Sequence, residues 1–144
     1  MQIATFYSDR FTQTPLPDAI NDVLGHDLMA WLLAGLRARG YDADDVIGED
    51  YGYGFWLRIE ASQFWVHAGQ YAPPDEREPL VQWLIGITDD PGCLWIHRLR
   101  TRPSPERQRQ LARDIHALLR GEPAITRIEW WARDIGVGEA RGEP

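Results

Sequence analysis

Lysine is absent from this chain, and all 15 basic residues among its 144 are arginines. That removes Schiff-base catalysis and the lysine-bearing phosphate loop from consideration. There is a single cysteine, Cys93, which excludes an intramolecular disulfide and any multi-cysteine metal site. No apolar run reaches 18 residues, so no membrane partner is expected. The first residues, Met1-Gln2-Ile3-Ala4-Thr5-Phe6, lack the basic start and apolar block of a secretion signal, which makes the cytoplasm the expected compartment. Cations are outnumbered, giving a net charge of −7. Nucleic acid is therefore not an expected partner, because phosphate binding depends on cationic contacts. The same charge favours solubility or steering toward a basic partner.

What the chain does have is alternation. Tyr53, Phe55, Leu57 and Ile59 fall on one face of a strand, with Trp56, Arg58 and Glu60 on the other. A turn at Ala61-Ser62 pairs Ile59 with Phe64, Leu57 with Val66 and Phe55 with Ala68, keeping all six on one face. Shorter strands are expected at Ile3 to Tyr7 and Val46-Ile47, and longer ones at Leu80 to Thr88, Cys93 to Arg100 and Ala124 to Arg133. Asp89-Asp90-Pro91-Gly92 is the turn between the third and fourth of these.

Two helices complete the set. The first runs from about His26 to Arg39, with Leu28, Trp31, Leu32 and Leu36 as its apolar stripe and Gly40 as its stop. The second opens with Ser104 as N-cap and Pro105 at the first helical position, buries Leu111, Ile115 and Leu118, and ends at Gly121. The expected fold is α+β: residues 1–135 form a single domain with one mostly antiparallel sheet of about six strands, in the order β-α-β-β-β-β-β-α-β. Both helices pack on one face, and 136–144 form a frayed tail. The expected core sets Trp31, Leu32, Leu36, Leu111, Ile115 and Leu118 on Phe55, Leu57, Val66, Ile85 and Ile96.

The other sheet face is then unusual. It collects Trp56, Arg58, Trp65 and His67 from the central hairpin, Leu84, Trp95, His97 and Leu99 from the next, and Trp131 beside Arg127, Glu129 and Arg133 from the last strand. A buried aromatic covers about 150–250 Å². Four tryptophans on one face match or exceed the ~300–600 Å² of a typical monomer's largest apolar patch. A protein partner, a second copy of the chain, or the loops Ser8 to Pro17 and Ala72 to Pro79 are the expected covers. In a dimer, Arg58, Arg127 and Arg133 would pair with Glu60 and Glu129 of the other copy.

The candidate binding residues are Glu49, Asp50, Tyr51, Tyr53, Trp56, Arg58, Trp65, His67, Trp95, His97 and Trp131. His67 and His97 with Glu49 or Asp50 would make a His-His-carboxylate set, but no short histidine spacing supports a metal, and hydrogen-bonded structural histidines are the preferred reading. Glu49-Asp50 beside Tyr51-Gly52-Tyr53 would put two carboxylates at the mouth of a cleft. The plainer reading is a tight turn, with Gly52 and Gly54 relieving crowding. Gly52-x-Gly54 is no phosphate loop, since no helix follows it. Cys93 follows a turn glycine and is read as a structural thiol. No catalytic residue and no cofactor is implied.

Leu28, Trp31, Leu32, Leu36 and Gly40, followed by Glu49-Asp50-Tyr51-Gly52-Tyr53, resemble a pattern in small uncharacterised bacterial α+β proteins. There, a helix reading L-x-x-W-L-x-x-x-L-x-x-x-G precedes an acidic E-D-[WY]-G-[WY] turn entering a hairpin. Some such proteins resemble immunity proteins of bacterial toxin systems, which act by binding. The resemblance implies a non-enzymatic protein that holds a protein partner through its aromatic and acidic surface. The alternative is a small-molecule-binding domain or small enzyme with a cleft beside Glu49-Asp50 that includes His67, His97 and Trp56.

Overall fold

The computed structural model describes residues 1–74, 76–89, 104–134, 137–141 and 144, with the backbone alone at Ile20, 133, 134 and 137–141. Its strands are β1 (Gln2–Ser8), β2 (Asp42–Ala43), β3 (Ile47–Glu49), β4 (Gly52–Ile59), β5 (Ser62–Ala72), β6 (Val81–Thr88), β7 (Thr126–Asp134) and β8 (Val137–Arg141). The helices are α1 (His26–Ala38) and α2 (Pro105–Gly121), with a 3-10 turn at Ile20–Asp22. The chain is an α+β protein, and among the described residues every strand pair is antiparallel. No helix among the described residues is long and apolar enough to cross a membrane.

Alternation builds the centre of the sheet as expected, but the hairpin register differs. Ile59 lies opposite Ser62, Leu57 opposite Phe64 and Phe55 opposite Val66, so the turn is Glu60-Ala61. The shift is two residues, which leaves every side chain on its expected face. Two features fix the tip. Glu60 takes a left-handed backbone, with φ of 50°. Arg107, in the first turn of α2, donates to the Ser62 hydroxyl at 3.1 Å and forms an ion pair with Glu60.

The strand order is β2-β4-β5-β6-β1-β7-β8, with β3 also on β4. Among the described residues the sheet has eight strands, where about six are expected: two short ones share the free edge of β4, and the expected tail contributes β8, with Ala132 opposite Ala140. β6 has β5 on one side and β1 on the other. The expected strand Cys93 to Arg100, with Trp95, Ile96 and His97, lies outside the described residues.

The helix ends follow local chemistry. At the end of α1, Gly40 has φ of 89°; its N–H donates to the Arg37 carbonyl at 2.9 Å, and the Tyr41 N–H donates to Leu36 at 3.2 Å. This is the glycine-terminated Schellman geometry. Ser104 caps α2 by accepting from the Arg107 N–H, and Pro105 opens the first turn. Both helices lie on one face, α1 over β4 and β5, α2 over β1 and β6, and they touch each other.

The core between them is closed. Leu28, Leu32, Leu36, Leu111, Ile115 and Leu119 are fully buried against Phe55, Leu57, Phe64, Val66, Trp83 and Ile85. Trp31 and Leu118 are partly buried at its margin. The loop after β1 belongs to this side too: the Phe11 ring packs 5.8 Å from those of Trp31 and Trp83 and 6.5 Å from that of Phe6. Leu57→Ala should cost about 2–5 kcal/mol in denaturant unfolding. A loss within about 0.5 kcal/mol, the range of surface changes, would show that Leu57 faces away from the helices.

Candidate functional site

The face opposite the helices is organised by ring-over-glycine contacts. Trp65 and His67 project from β5, while their neighbours across the strands include Gly54 on β4 and Gly86 on β6. A Cβ on Gly54 would overlap the Trp65 indole, and one on Gly86 would overlap the His67 imidazole. The bare backbone lets both rings lie down on the sheet. Trp56, directly across from Trp65, packs its ring 5.0 Å away at a tilt of 48°.

Tyr51 holds this group from above. The Trp65 Nε1–H donates to the Tyr51 hydroxyl at 2.9 Å, and the Tyr51 ring meets His67 edge-on at 5.6 Å. Trp65 is left only 7% exposed, whereas Tyr51 remains 54% exposed. Burial pushes the Tyr51 phenol pKa up, and the Glu49 and Asp50 carboxylates add to that, against the Trp65 hydrogen bond. Burial holds the His67 imidazole below its usual value, and its Nδ1 is buried without a hydrogen-bond partner among the described residues.

Of the expected site residues, Tyr51, Trp56, Trp65 and His67 are thus brought together, with Glu49 at the end of β3 and Asp50 on the turn that carries Tyr51. Arg58 shares the face but is committed elsewhere. Its guanidinium grips Asp42 and Asp44 through four hydrogen bonds of 2.7–3.1 Å, tying β2 to β4 and holding both carboxyls below their usual range. Tyr53 lies on the opposite face, edge-on to His26 at 5.3 Å. Trp131 sits three strands from Trp65, roughly 14 Å at ~4.8 Å per strand. It lines its own groove of about 370 Å³ with Ile3, Leu84, Tyr71 and Glu129. Trp95 and His97 lie outside the described residues.

Three side chains of the expected dimer rim have partners within the chain. Arg58 serves Asp42 and Asp44, Arg127 pairs with Glu78 and stacks over Tyr7 at 4.9 Å, and Glu60 pairs with Arg107. The loop Ser8 to Pro17, expected as a cover, sends Phe11 into the helix-side core instead. No group of three or more His, Cys, Asp or Glu side chains suited to a metal occurs among the described residues.

A cleft does lie beside the acidic turn, but on the helix side of the sheet. It has a volume of about 350 Å³ and is lined by Leu16, Asp18, Val23, His26, Val46, Gly48 and Tyr53, with Ala19. The expected lining of Glu49, Asp50, Trp56 and His67 is not part of it. Sequence reasoning missed Asp18 because the segment 8–25 has no periodicity, and His26 because a histidine at a helix start reads as solvent-facing. The one available signal was Gly25, whose φ of 112° opens α1 where no side chain caps it.

No protein-family model matches the chain, and comparison with curated proteins and with solved structures finds no match.

Two measurements check the ring-over-glycine geometry. Gly86→Ala should cost about 1–3 kcal/mol by overpacking, and much of that cost should vanish in a His67→Ala background because the two sites are coupled. Equal cost in both backgrounds would separate His67 from Gly86. The imidazole is favoured neutral in the folded state, so the unfolded chain takes up its proton first as pH falls through about 6.5. Stability is then fully present above that pH and declines toward the lower folded value, a slope that His67→Asn should remove.

Proposed function

We propose that this is a bacterial, cytoplasmic protein that works by binding rather than catalysis, holding a protein partner against the aromatic sheet face. The observation that carries the reading is the braced set of Trp56, Trp65 and Tyr51 on the face opposite both helices. Tryptophan, tyrosine and arginine dominate interface energetics, and rings whose rotamers are already fixed lose little entropy on docking. The net charge of −7 favours a basic partner. The helix and acidic-turn pattern resembles that of small bacterial α+β proteins, some of them similar to immunity proteins, which is consistent with a binding role.

The area left to bury comes chiefly from Trp56, Trp131 and the 63% exposed Tyr71, because Trp65 is already covered. A second copy of the chain is the other occupant to test. Two such patches meeting on a two-fold axis would bury several rings of roughly 200 Å² each, at ~25 cal/mol per Å². That must offset an association cost of about 4–15 kcal/mol.

Light scattering at micromolar concentration distinguishes the two occupants, and a stoichiometric complex purified from the native host supplies the foreign one. Trp56→Ala with Trp131→Ala should weaken either association by about 2 kcal/mol or more, roughly 30-fold, while leaving a cooperative unfolding transition. An affinity unchanged in that double variant would overturn the assignment of the face.

A further inference from the structure

The cleft on the helix side of the sheet is independent of that reading. Its walls are apolar at Leu16, Val23 and Val46, and Tyr53 forms its floor, 6% exposed and braced edge-on by His26. Asn21 fixes the width by donating to the Asp50 carbonyl at 3.3 Å, which ties the 3-10 turn on one side to the acidic turn on the other. At about 350 Å³ the cavity falls at the small end of ligand pockets, which run from about 300 to 1,000 Å³. It continues past the first residues of α1 toward Thr12 and Thr14.

The charges in it are of one sign. Asp18 and Asp27 line the two adjoining parts, and no arginine does so among the described residues. Asp27 is occupied: one oxygen accepts from the Thr12 N–H at 2.7 Å and the other from the Leu28 N–H at 2.9 Å. This places a carboxylate over the start of α1, where an anion would otherwise be welcomed. Asp18 has no hydrogen-bond or ion-pair partner among the described residues. It lies close enough to Tyr53 to raise the phenol pKa, second to the effect of burial.

We propose that this cleft binds a small organic ammonium ion, with its apolar body between Leu16, Val23 and Val46 and its cationic nitrogen directed to Asp18 and the Tyr53 ring. An uncompensated carboxylate, an aromatic ring and apolar walls are the elements that recognise such a cation. An anion of the same size meets two carboxylates. The protein's overall negative charge raises the local concentration of the favoured ligand.

The test uses the full chain and three probes of matched size: 2-phenylethylammonium, 3-phenylpropanoate and 2-phenylethanol. They are titrated while amide shifts are followed by NMR, with tetraethylammonium as a second cation. The ammonium probes should saturate, moving Val23, His26, Gly48 and Tyr53, and the carboxylate should not. Asp18→Asn should weaken the ammonium affinity about tenfold or more, the worth of a charged hydrogen bond. The thermal midpoint should hold, since Asp18 is exposed. Gln110→Ala, exposed on α2, should leave the affinity unchanged. Equal affinity for all three matched probes, an Asp18→Asn variant that binds as before, or no saturation by either cation up to about 10 mM, tenfold weaker than a 1 mM site, would each overturn the proposal.

Discussion

The fit of two flat rings over two glycines governs the face opposite the helices. Trp65 needs Gly54 bare and His67 needs Gly86 bare, so three adjacent strands are constrained by one set of contacts. The arrangement trades intrinsic strand preference for shape, because glycine weakens a strand and leaves no side chain to pack. The rings supply the missing contact area. They also leave the His67 Nδ1 inside with no acceptor or donor among the described residues, a local deficit of about 1–3 kcal/mol by the usual cost of an unmet buried polar atom. A packed core of large side chains on the other face is what allows the sheet to carry it.

The two faces consequently divide the chemistry. The helix side holds the closed core and, at its margin by the acidic turn, a cleft with an unpaired carboxylate. The far side holds a braced aromatic platform at β4 and β5 and a second depression at β1, β6 and β7. Tyr51 and Tyr53, two residues apart in sequence, serve opposite sides: the first brackets Trp65 and the second floors the cleft. The turn between β3 and β4 is where both features meet.

Much of this was legible in the residues, and the losses have physical causes. Period-two alternation gave both faces of β4 and β5, and cap chemistry gave the stop of α1 at Gly40 and the start of α2 at Ser104. The hairpin register was off by two because the deciding contact, Arg107 with Ser62 and Glu60, spans more than 40 residues. Trp131 was grouped with Trp65 because alternation reports a face and not a strand order. The N-terminal strand β1 inserts between β6 and β7 and separates them. Arg58 was read as a rim cation because nothing local shows that β2 brings Asp42 directly across from it. The helix-side cleft is not legible in the sequence, since one of its walls is an aperiodic segment whose position depends on the Asn21 contact.

The Trp56–Trp65 pair has an optical consequence. Two indoles with centroids 5.0 Å apart and planes inclined by 48° are close and skewed enough for their strong ultraviolet transitions to mix. Such mixing splits the absorption into two bands of opposite rotational strength, giving circular dichroism a signed couplet superimposed on the backbone signal. Sliding β5 by two residues along β4, about 7 Å, would carry the rings apart and weaken it severalfold. The hairpin therefore contains its own chromophoric gauge of register, readable during folding without any label.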